Sequence, residues 1–176
     1  LPGFNELKRR NAAVSTQEKA FQDYYPDEYS HCYGCGRLNK KGLQIKSYWD
    51  GKESVCRFKA RPYHLALRGY VYGGLIASLI DCHATGTASA AKYRAEGRKM
   101  GTNPPFRFVT ASLHVDYLAP TPIEATLELR GRVKEIKDRK VIVSVTLSAN
   151  GRRCARGEVV TVLMPENMLP KQAPTA

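Results

Sequence analysis

The sequence predicts an α+β fold in which one long helix lies across a curved antiparallel sheet. Three observations predict it. Alternating apolar and polar runs, bounded by turn-forming residues, lie on both sides of a central segment. That segment begins at a Gly73-Gly74 pair and keeps a helical rhythm, with Leu75, Ile76, Leu79, Ile80 and Ala84 on one face. Consecutive strands on short turns pair antiparallel, so helix and sheet form two layers around a common core. With 176 residues and 43% hydrophobic content, a single domain with a proper core is expected.

Taken in order, Ser15 and Glu18 have the spacing of a capping box, which predicts a short helix over 16–25, stopped at Pro26. A turn-rich stretch, 31–42, leads to two strands, 43–50 and 53–60, with Asp50-Gly51 as the hairpin turn. Residues 62–71 form a loop that feeds the long helix, which fades near Gly97. Pro104-Pro105 prevents helix in the connector that follows. Four more strands are predicted at 107–118, 125–134, 140–149 and 152–163. Pro120-Thr121-Pro122, Lys137-Asp138 and Asn150-Gly151 separate them, the last a strong hairpin signal. Residues 165–176 carry three prolines and little apolar character, which predicts a flexible tail.

Composition narrows the function classes. The net charge is +12, yet no helix-turn-helix, RNP-type or zinc-finger pattern accompanies it. Nucleic acid is therefore not the expected partner; a phosphorylated small molecule or simple solubility explains the charge. No apolar run reaches the roughly 18 to 20 residues of a membrane span, and no secretory pattern opens the sequence, so a cytoplasmic protein is expected. Five cysteines, an odd number, argue against a disulfide framework. Cys32 and Cys35 form a Cys-x-x-Cys beside His31, half of a zinc pattern, but Cys56, Cys82 and Cys154 are isolated in sequence and the histidines lack paired spacing. Neither a metal nor a cofactor is expected.

Asp81 makes the helix more than structural. It lies about two turns in, too deep to cap the N-terminus, between Leu79, Ile80, Cys82 and Ala84. On pattern alone it can be a solvated edge residue. The small residues of 84–91, however, suit a helix enclosed by other structure, and an enclosed carboxylate without a partner costs several kcal/mol.

These residues resemble a known family. The Gly-x-x-[His/Tyr]-Gly-Gly-x(6)-Asp spacing from Gly69 to Asp81, the strand Leu113-His114-Val115-Asp116-Tyr117-Leu118-Ala119-Pro120, and the lead-in Cys32-Tyr33-Gly34-Cys35-Gly36 with Asn39, Gly42 and Leu43 resemble the hotdog-fold acyl-CoA thioesterases of the PaaI-like branch, in the 4-hydroxybenzoyl-CoA thioesterase superfamily. The resemblance implies a thioesterase-like hotdog domain over 30–164, an N-terminal extension over 1–29 and the tail over 165–176. It implies hydrolysis of an acyl-CoA thioester with Asp81 as general base or nucleophile. Gly73 then supplies the oxyanion amide at the helix mouth, beside Gly74 and Tyr72. Thr110 stands where relatives orient the attacking water, and Thr85, four residues after Asp81, shares its helix face. The family's site lies between subunits, which implies a homodimer or a dimer of dimers.

Two departures are visible. Tyr72 replaces the usual histidine, and Ala66 stands where many relatives carry an Asn or Gln as a second oxyanion donor; His64 or Arg68 nearby can compensate, and His64 and Gly74 are candidate substrate-binding residues. Arg139 and Arg156 are candidates for the CoA phosphates. A non-catalytic acyl-CoA or lipid-binding hotdog protein is the alternative reading.

Overall fold

The computed structural model describes residues 19–168; the capping pair Ser15 and Glu18, and the chain beyond Met168, lie outside them. Where the described residues reach the expected first helix, they form a 3-10 turn, Phe21–Tyr24, followed by a second, Asp27–Tyr29. Pro26 has no N–H to give to the Gln22 carbonyl, so an α-helical turn cannot close there.

Strands β1 (Ser47–Asp50) and β2 (Glu53–Lys59) precede the helix α1 (Gly73–Ala95); β3 (Phe108–Tyr117), β4 (Thr126–Lys137), β5 (Lys140–Ala149) and β6 (Arg152–Leu163) follow it. β1 begins later than its alternation suggests. Gln44 takes a left-handed φ of 56° and its side-chain amide donates to the carbonyls of Gly36 and Asn39, both at 2.6 Å, which breaks the extended run. At the β5–β6 turn Asn150 and Gly151 both have positive φ, 51° and 75°, as the hairpin signal requires.

All strand pairs are antiparallel, in the order β1-β2-β4-β5-β6-β3. One neighbour differs from the expected run of consecutive strands: β3 pairs with β6 at the far edge rather than with β4. The segment 118–125 is held elsewhere, since Val71 N–H donates to Thr121 O and Ile123 N–H to Gly69 O, both at 2.9 Å. It runs beside the loop that feeds α1 instead of turning back on β3.

Leu127, Leu129, Val141, Val143, Val145, Leu147 and Val159 point from the sheet into a core shared with Leu79, Ile80, Ala84 and Ala88 of α1. Every residue from 82 to 91 is buried, so the run of small side chains does mark an enclosed helix. At Gly157 a Cβ would lie 2.6 Å from Ile80 Cγ2, so only glycine lets the helix settle this close. α1 touches both edge strands, β1 and β3, of a six-stranded sheet, so the sheet must curl around it. This wrapped helix is the hotdog arrangement.

Candidate active site

α1 sends its two ionisable mid-helix side chains in different directions. Asp81 faces β3, where the Thr110 hydroxyl donates to its Oδ1. The side chain is half-buried, and burial is the main reason its carboxyl is pushed above the ordinary value. The Thr110 hydrogen bond pulls the other way, the Cys32 thiol adds to the rise, and the Arg107 guanidinium opposes it. A carboxylate poorly hydrated but not sealed off is a stronger base toward a water molecule than a free one.

The helix mouth lies two turns away. Tyr72 is the N-cap residue and offers no side-chain cap. Its carbonyl accepts from Leu75 N–H at 3.0 Å, and no described residue accepts from the amides of Gly73 or Gly74. These free N–H groups, at the positive end of the helix dipole, can bind a developing oxyanion. Tyr117 Oη donates to Gly73 O at 2.9 Å and so fixes the Gly73–Gly74 peptide, immediately after the free Gly73 N–H. The Tyr72 ring lies over Gly74, where a Cβ would come within 2.4 Å of it.

The remaining predicted residues are spread out. Thr85 is buried and donates to Cys82 O at 3.2 Å, not to Asp81. His64 stacks on Phe58 and accepts at Nδ1 from Arg61 N–H at 3.1 Å, in a recess of about 160 Å³ shared with Tyr33, Lys41 and Tyr63. Its burial and the nearby Arg61 lower its pKa and favour the neutral ring. Arg139, in the β4–β5 turn, donates to Leu163 O at 3.4 Å. Arg156 lies on the sheet face away from α1 and donates to Asp116 Oδ2 at 2.7 Å, lining an open concavity of about 420 Å³ with His114, Lys134 and Glu158.

Two contacts around Asp81 were not expected. Arg107, whose guanidinium lies over the Tyr25 ring at 4.6 Å, acts electrostatically on Asp81; nothing in its sequence setting signals this. Cys82, isolated in sequence, meets the Cys-x-x-Cys loop, with its Sγ 3.8 Å from Cys32 Sγ. The contacts with Cys35 and Cys82 hold Cys32 well below the ordinary thiol range, while Cys35 is pushed up to about 11, chiefly by its contact with Cys32.

With the helix mouth and the half-buried carboxylate in place, the comparisons are decisive. The family model of the thioesterase superfamily matches residues 68–155, half of the chain and the span that carries both features. The chain belongs to the thioesterase superfamily. A thioesterase superfamily protein from Shewanella loihica is 50% identical, with 80% of this chain and 100% of that one covered at a TM-score of 0.62. The E. coli PaaI protein, from the phenylacetic acid degradation operon, shares the fold at 14% identity, with 70% of this chain and 81% of that one covered and a TM-score of 0.56. The acyl-coenzyme A thioesterase THEM4 of Rattus norvegicus is 29% identical over 114 residues, 64% of this chain and 44% of that protein. The chain thus spans less than half of this curated thioesterase.

Proposed function

We propose that this superfamily member hydrolyses an acyl-CoA thioester to a free acid and CoA. The half-buried Asp81, bonded to Thr110 and raised in pKa, carries the reading. Asp81 acts as the base that takes a proton from water, or attacks the thioester carbonyl itself; Thr110 orients what approaches it. The Gly73 amide holds the carbonyl oxygen as negative charge develops there, and the Tyr72 and Gly74 backbone shapes the approach. The names of the curated relatives support the substrate class.

Geometry adds a condition. Gly73 and Asp81 are eight residues apart on one helix, which at its rise per residue separates them by about 12 Å, too far to act on one carbonyl. A second copy must bring its helix mouth to this carboxylate. The edge strand β3 carries Thr110 and, among the described residues, has no neighbour on its outer side, while Leu113, Tyr117 and Leu118 stand exposed beside it. A homodimer through β3 covers these side chains and completes the site; a dimer of dimers is compatible with it.

We read residues 30–164 as the catalytic domain. Among the described residues no helix is long and apolar enough to cross a membrane, and the five cysteines are all unpaired, which favours a reducing compartment such as the cytoplasm. Arg139, whose one described side-chain partner is a carbonyl, suits a CoA phosphate better than Arg156, which Asp116 already neutralises. Hydrolysis assays on a panel of short, long and aromatic acyl-CoAs test the activity, and light scattering tests the assembly. Binding without turnover across the panel would favour the non-catalytic alternative, and a monomer at micromolar concentration would rule out the shared site.

A further inference from the structure

The Cys-x-x-Cys loop is fitted to one sulfur of α1. A Cβ on Gly34 would lie 2.2 Å from Cys82 Sγ, so the glycine between the two loop cysteines lets the backbone rest directly on that atom. The loop is pinned from behind: Leu43 N–H donates to Tyr33 O at 2.8 Å, and Ile45 N–H to Gly34 O at 3.0 Å. As a result the Sγ atoms of Cys32, Cys35 and Cys82 all lie within 4.8 Å of one another. Among the described residues this is the one group of three or more Cys, His, Asp or Glu side chains at such distances.

Buried cysteines most often pack as small hydrophobes or weak donors, and Cys56 and Cys154 are buried here outside this group. The trio behaves differently. Thiolates at about 2.3 Å from a tetrahedral ion stand roughly 3.8 Å apart. Cys32 and Cys82 already have that separation, 3.8 Å. The Cys-x-x-Cys spacing is the usual one for two thiolate ligands of one ion. Charge also balances, since three thiolates and a divalent cation leave one negative charge, and the Arg107 guanidinium acts on all three cysteines.

We propose that Cys32, Cys35 and Cys82 form a three-thiolate site for zinc, fastening the loop to α1 one residue from Asp81. The half-exposed side of Cys32 leaves the fourth position open to water, and binding releases the thiol protons still held by the trio. The site is independent of the hydrolytic reading, because its test measures metal rather than turnover.

The experiment uses the whole chain, purified under reducing, metal-free conditions. It is titrated with zinc against a chromophoric chelator, and with cobalt(II) for its thiolate charge-transfer absorption. The expected result is one ion per chain, a thiolate-rich tetrahedral cobalt spectrum, and a Tm that climbs with free zinc. Cys32→Ser, at the half-exposed position, is expected to weaken binding by at least a hundredfold, whereas Cys154→Ser keeps full stoichiometry. Substoichiometric binding, an octahedral cobalt spectrum, or equal binding by Cys32→Ser would overturn the site. So would a Cys32–Cys82 disulfide in protein isolated without reductant but with thiols trapped in the cell.

Discussion

Asp81 and His83 are two residues apart on the same buried helix, and the protein treats them in opposite ways. His83 is fully buried and both ring nitrogens are bonded, Nδ1 to Ser47 Oγ at 2.9 Å and Nε2 to Ser54 Oγ at 3.1 Å. The network closes with a neutral ring. Gln22 Nε2 donates to Ser47 Oγ at 3.1 Å, which leaves that hydroxyl free to donate to Nδ1. Nε2–H then donates to Ser54 Oγ, which reaches Thr87 Oγ1 at 2.6 Å, and Thr87 returns a hydrogen bond to His83 O at 2.7 Å. Asp81 has one described side-chain partner and keeps part of its surface open. A buried polar group with every bond made is a structural element; one held short of satisfaction at a site's edge is chemistry in waiting.

The largest expected effect tests the Asp81 half of this contrast. Asp81→Asn keeps the shape and removes the charge, so kcat on the best acyl-CoA should fall by roughly 10² or more with KM little changed. Its stability should hold or rise at neutral pH, because the native environment disfavours the charged carboxylate that the substitution removes. Turnover that persists while Tm drops would make Asp81 structural and erase the distinction.

His83→Ala should show the mirror image. It opens a cavity and strands Ser47 and Ser54, at a cost on the order of 3 kcal/mol, or a fall in Tm of roughly 6–12 °C for a chain of this length. Per folded molecule, kcat should be close to wild type. A large loss of kcat with unchanged Tm would move His83 into the site.

How far this contrast was legible in sequence differs between its two halves. Asp81 stands out because a carboxylate between Leu79, Ile80 and Cys82 needs a reason wherever the helix packs. His83 gives no such signal, since its partners lie in the hairpin β1–β2 and in the first 3-10 turn, far along the chain. The turns were readable from Asn150-Gly151 and Asp50-Gly51, whose backbone demands are local. The place of β3 beside β6 was not, because it depends on the 118–125 segment docking on Gly69 and Val71. The meeting of Cys82 with Cys32 and Cys35 was likewise hidden, as a contact fifty residues long leaves no spacing to read.

Acid should separate the same two residues by sign. Burial lowers the His83 pKa to about 4, against an ordinary 6.5, so the unfolded chain takes up the proton first as pH falls. The stability it contributes is complete above pH 6.5 and lost as pH drops through about 4, up to roughly 3 kcal/mol in all. Asp81 is displaced upward, so its contribution is complete below the ordinary value of 3.8 and lost as pH rises through its folded value. Denaturant melts between pH 4 and 7 should therefore show a shallower acid loss in His83→Ala than in wild type, and a steeper one in Asp81→Asn. Parallel curves for all three proteins would mean that neither environment is as desolvated as its burial implies.

The smallest expected effect concerns Thr110, the hydroxyl that keeps Asp81 from being wholly unsatisfied. A hydrogen bond to an ionised carboxylate is worth about 1.5 kcal/mol or more, so Thr110→Val should lower kcat on the order of tenfold. The hydroxyl also holds the Asp81 pKa down against burial, so its removal should move the acid limb of the kcat profile to higher pH. Because a base works only when deprotonated, that shift costs activity first in mildly acid buffer, and Thr110→Ser should restore both the rate and the limb. A packing role would behave otherwise: Thr110 is exposed on an edge strand, so valine should then change Tm slightly and leave the pH profile where it was. If the limb does not move, the hydroxyl is incidental. Asp81 would then owe its raised pKa to burial and to the neighbouring Cys32, and the pH profile should respond instead to Cys32→Ser.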